Sequence, residues 1–81
     1  MNRENKQLVR AAIMEAAENL EGKLPESDKH PNGRNPYAHI PKVIKSMTGM
    51  SYTDLPDDKL GIALEIIAYC EKNPFYLNNY K

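Results

Sequence analysis

Leu8, Ala12, Ala16 and Leu20 recur at four-residue spacing, with Val9, Ile13 and Ala17 beside them, in a stretch that holds no Gly or Pro before Gly22. That period predicts an amphipathic helix over about residues 3–21, stopped by Gly22 and by Leu24-Pro25. The alanine-rich stripe admits a close neighbour but buries little area alone, so the helix needs partners. The segment from Lys23 to Pro36 carries three prolines, a glycine and five charged residues without any period. It reads as a surface loop, about residues 22–37, with a turn at Pro31-Asn32-Gly33. Loops of that length in a small domain are commonly mobile or functional.

A second helix follows, with Tyr37, Ile40, Val43, Ile44 and Met47 on the inner side and His39, Lys42 and Lys45 at three-residue spacing on the outer. Proline is comfortable only in a first helical turn, so Pro41 places the start near Ile40 and leaves Tyr37 and Ala38 in an irregular lead-in. Gly49 ends it after Thr48. The third helix is expected over about residues 55–72, capped by Thr53 or Asp54, with Pro56 in its first turn and Asp57 and Asp58 against its positive end. Leu60, Ala63, Leu64, Ile67 and Cys70 form its inner face, and Ile62, Ile66 and Tyr69 widen it. So broad an apolar surface predicts a central helix packed by both others. Pro74 begins a tail, residues 73–81, with Phe75, Tyr76, Leu77 and Tyr80 available to dock on the core or on a partner. The sum is one small all-α domain over residues 1–81, three helices with a long loop between the first and second.

Composition narrows the function classes. A chain of 81 residues with 41% hydrophobic content can build one core and has no room for a separate catalytic domain. Eleven Lys and Arg balance eleven Asp and Glu, so any attraction to nucleic acid must come from a local patch. The lone Cys70 sits in an apolar run and reads as a small buried hydrophobe in a reduced, cytoplasmic setting. No apolar stretch has membrane-spanning length, and MNRENKQ has no hydrophobic signal core behind its charges. A soluble protein is expected, without membrane association.

Between Tyr37 and Ala68 the residues Ile44-Lys45, Gly49, Ser51-Tyr52, Asp54-Leu55-Pro56, Ala63-Leu64 and Ile66-Ile67 form a pattern that resembles the ORF6C domain of phage antirepressor-type proteins. The resemblance implies a small helical module of phage or prophage origin associated with DNA transactions. It brings no catalytic residues with it.

Helix, glycine turn and helix also suggest a helix-turn-helix, but its reading helix would meet the phosphates with Asp54, Asp57 and Asp58. The opposite surface suits nucleic acid better. Arg3, Lys6 and Arg10 on the first helix, Arg34 in the loop, and Lys42 and Lys45 with His39 on the second helix form one basic face if the two helices pack with these sides adjacent. This predicts a regulatory or accessory module that binds DNA weakly and salt-sensitively. The rival expectation is a module that binds a host protein or itself through the loop or through Phe75, Tyr76 and Tyr80, with Met14, Met47, Met50 and Tyr52 in support. His30, His39 and Cys70 have no compact zinc spacing, and no nucleophile, base and orienting residue can be named together. No enzyme, metal, cofactor or small-molecule substrate is therefore expected.

Overall fold

The computed structural model describes residues 1–21 and 35–73. It shows an all-α domain of three helices: α1 (Arg3–Leu20), α2 (Pro36–Thr48) and α3 (Leu60–Lys72). Two short 3-10 turns, Tyr52–Asp54 and Asp57–Lys59, join α2 to α3. The loop expected over residues 22–37 falls outside the described residues up to Arg34, and the tail does so from Pro74 onward.

α1 and α2 begin at side-chain caps, and α2 ends at a left-handed glycine. Asn2 caps α1, its side-chain oxygen accepting the Asn5 N–H at 2.8 Å. Asn35 caps α2, accepting the Tyr37 N–H at 2.9 Å through its side chain and the Ala38 and His39 N–H groups through its carbonyl. Pro36 then occupies the first helical position, where its missing N–H costs nothing. The helix therefore starts four residues before Ile40 and carries Pro41 in its interior, correcting the expectation drawn from Pro41. The better start signal was Asn35-Pro36.

At the other end, Gly49 adopts φ 81° and donates its N–H to the Lys45 carbonyl at 2.7 Å. Thr48 closes the turn, its hydroxyl donating to the Ile44 carbonyl at 2.7 Å. Nothing lies within 4 Å of a Cβ built on Gly49, so a substitution there meets only backbone strain. Gly49→Ala should cost about 1–2 kcal/mol in chemical denaturation, with Gly49→Asn closer to the parent.

α3 starts at Leu60 rather than Leu55. A residue before proline is driven extended, and Leu55 at φ −65°, ψ 141° separates the two 3-10 turns. Ser51, not Thr53 or Asp54, caps the first of them. Asp57 also serves a different helix from the one expected. Its carboxylate accepts the Asn2 N–H at 2.6 Å and the Asn5 side-chain amide at 3.1 Å, placing negative charge at the positive end of α1.

The core comprises Val9, Ile13, Ala16, Ala17 and Leu20 from α1, Ile40, Val43 and Ile44 from α2, Leu55 before the second 3-10 turn, and Ala63, Ile66, Ile67 and Cys70 from α3. Leu8, His39, Met47 and, on α3, Leu64 depart from the faces their spacing assigns. Leu8 is 55% exposed although Leu20, on the same four-residue row, is 1% exposed. Each four-residue step overshoots a helical turn by about 40°, so three steps carry Leu8 about 120° from Leu20. His39 is buried at 4%, whereas Lys42 and Lys45 are exposed. Three-residue steps fall short of a turn by about 60°, which rotates His39 onto the core side. Met47 faces inward by angle but is half exposed, in the last turn before Gly49.

Nor is α3 enclosed by its neighbours. It buries Ala63, Ile66, Ile67 and Cys70 on one side, while Ile62, Leu64 and Tyr69 are each at least a third exposed. The apolar width of α3 thus reaches the surface. Among the described residues, no helix is long and apolar enough to cross a membrane.

Candidate nucleic-acid interface

Polar contacts fix which flank of α1 meets which helix. Asn5 reaches Asp57 and Asn19 reaches Glu71, the latter at 2.8 Å, so α1 and α3 run parallel with a constant offset along the chain. Asn5, Ala12 and Asn19 are two turns apart and share one flank. α3 occupies that flank. Arg3 and Arg10 lie on the opposite flank in the row that ends in Ala17, which is fully buried, and α2 packs there.

Tyr37 locates α2 along this flank. Its phenol pKa is raised by desolvation and then by the charges of Glu21 and Glu18, so the start of α2 lies beside the end of α1. The chain then returns antiparallel to α1. At the far end the Met1 ammonium donates to the carbonyls of Thr53, at 3.2 Å, and Leu55. Lys45 is eight residues beyond Tyr37 and Arg10 eight residues before Glu18, about 12 Å of helix in each case, which brings both to a similar level.

The five described cations of the expected basic face, Arg3, Lys6, Arg10, Lys42 and Lys45, are all exposed. Lys45 shares the row of exposed Ala38, on the side of α2 away from buried Ile40, Val43 and Ile44, and Lys42 stands about 60° from it. His39 leaves the set, since its ring is in the core. Arg34 lies outside the described residues, as do Phe75, Tyr76 and Tyr80 of the rival surface. The same face turns acidic at Glu18 and Glu21, so the positive charge is concentrated toward the start of α1 and the end of α2. Met14 and Met50 are exposed along with Met47, and Tyr52 packs partly buried against the core.

Cys70 and Asp57 have structural explanations. Burial pushes the Cys70 thiol up to about 11, so it remains protonated at neutral pH and is a weak nucleophile. No group of three or more His, Cys, Asp or Glu side chains converges among the described residues. The Asp57 carboxyl is held below its ordinary value, first by the Asn2 backbone N–H and then by the Asn5 amide. A depressed folded-state pKa adds stability above the unfolded value, about 3.9, and loses it as pH falls through the folded one. Thermal unfolding between pH 5 and pH 2 should show this acid limb, and Asp57→Asn should flatten it; an unchanged limb would remove Asp57 as its source.

Comparison with known proteins places no neighbour beside this surface: no family model, no curated protein and no solved structure matches the chain.

Proposed function

We propose that the chain is a non-enzymatic DNA-associated accessory or regulatory module, working in the cytoplasm, that follows a phosphate backbone with the α1–α2 face. The observation that carries this reading is the collection of Arg3, Lys6, Arg10, Lys42 and Lys45, all exposed, on the two helices whose flanks adjoin. Such a face supplies sequence-independent affinity through counterion release and needs no inserted helix. The acidic 3-10 segment supports the same choice of face, because Asp57 is already engaged with α1 and Asp54 and Asp58 would repel phosphate. The resemblance to the ORF6C domain agrees with this role and adds a phage or prophage origin to the proposal. Random-sequence duplex should bind at low salt and release as salt rises. Lys42→Glu with Lys45→Glu should weaken binding by well over about tenfold at low salt while leaving the helical circular dichroism unchanged, and equal binding by parent and variant would refute the face.

A further inference from the structure

The seam between α1 and α3 has a character opposite to the α1–α2 face. Two hydrogen-bonded pairs, Asn5 with Asp57 and Asn19 with Glu71, lie along it, and the same 52-residue offset sets Ala12 level with Leu64 as a third pair midway, at two-turn intervals. The outer pairs are hydrogen-bonded, and the middle pair is apolar. Leu64 is 37% exposed there, and Leu8, one turn before Ala12, is 55% exposed. Around these two leucines the helices present Ala11, Gly61 and Ala68, all exposed and all small, so a rod could approach the backbone closely. Beyond them, Asn19, Ala68, Glu71 and Lys72 line a shallow cleft.

Charge selects the occupant. Glu4 and Glu15 flank Leu8 on the same row of α1, Glu71 follows Leu64 on the same row of α3, and Glu65 shares with Lys72 a row about 100° further round α3. A second copy joined through the same seam would set these carboxylates against their equivalents. An anionic lipid or nucleic-acid surface would meet the same repulsion. We propose that the α1–α3 seam is a docking groove for a basic amphipathic helix of another protein, whose apolar stripe covers Leu8 and Leu64 and whose Lys or Arg flanks meet Glu4, Glu15, Glu65 and Glu71. This helix-in-groove mode would make the three-helix domain a four-helix one. The groove stands apart from the DNA face and does not depend on it.

The test uses a labelled synthetic leucine–lysine amphipathic helix of about 18 residues, long enough to hold helical structure, and a leucine–glutamate counterpart of the same pattern. In fluorescence anisotropy the lysine peptide should bind at least about tenfold more tightly than the glutamate one. Leu8→Glu with Leu64→Glu should weaken it by a further tenfold or more, about 1.4 kcal/mol, and Lys42→Glu with Lys45→Glu should not weaken it. Both leucines are exposed, so circular dichroism should confirm an intact fold in the variant. Amide chemical-shift changes should concentrate on α1 and α3 along the seam. Equal affinity for the two peptides, or binding indifferent to Leu8 and Leu64, would overturn the proposal. So would sedimentation showing that the chain assembles with itself through these leucines, or binding to vesicles of anionic phospholipid that the leucine variant loses.

Discussion

Leu20→Ala should remove about 2–5 kcal/mol of stability, while Leu8→Ala should change it by less than about 1 kcal/mol. The two leucines share one helix and one four-residue row, yet Leu20 is among the largest fully buried side chains and Leu8 projects to solvent. Truncating Leu20 leaves a cavity in the core, at the end of α1 beside the start of α2. A domain of 81 residues has only about 4–12 kcal/mol in total, so this single change removes a large share of it. Thermal unfolding should fall by roughly 4–8 °C for each kcal/mol lost. Equal effects at the two positions would mean that α1 is rotated from its described orientation. The Leu8 result also prepares the groove experiment, since the surface leucine must be removable without unfolding.

The second large effect concerns charge. Five cations touching phosphates would give a slope of about −4 to −5 in log affinity against log salt, since each contact contributes about 0.9. Between 50 and 200 mM salt, affinity should then drop by roughly 10²–10³-fold. Lys42→Glu with Lys45→Glu removes two contacts and adds two repulsions, which should weaken binding by well over about tenfold at low salt. Because both lysines are exposed, the variant should keep its unfolding temperature within a few degrees. Loss of binding together with loss of fold would leave the face unsupported. Arg3→Ala with Arg10→Ala provides the separate arm on α1 and should lower the slope by about two.

Helix existence was legible because each amphipathic stretch has its own period, and Gly49 stops α2 as expected, while Gly22 and Pro74 lie outside the described residues. The three-helix, all-α architecture follows from those periods, and the structure shows it. Rotation about each helix axis was harder to read. A row at spacing of four and a row at spacing of three both look like faces in the sequence, but each drifts from the true 3.6-residue turn. Leu8 and His39 were misplaced for that one reason, one as core and one as surface. Starts were harder to read: Pro41 suggests a start near Ile40 where Asn35-Pro36 supplies it, and Thr53 or Asp54 with Pro56 in a first turn suggests a start at Leu55, which Pro56 instead holds extended.

The basic residues of the candidate face were legible as exposed side chains; which helix packs on which flank of α1 was not. That required knowing that α3 takes the Asn5–Asn19 flank of α1 and leaves the Arg3–Arg10 flank to α2. The seam groove was illegible for the same reason. Leu64 reads as core when α3 is placed at the centre, whereas it is 37% exposed, and the parallel register of α1 and α3 sets it one turn along from Leu8.

The most direct measurement of the central claim is a salt titration of random-sequence duplex binding by the unmodified chain, followed by anisotropy from 20 to 200 mM salt. The proposed face predicts measurable affinity at the low end and a log–log slope of about −4 to −5. No binding at the lowest salt, or binding with a slope near zero, would contradict it.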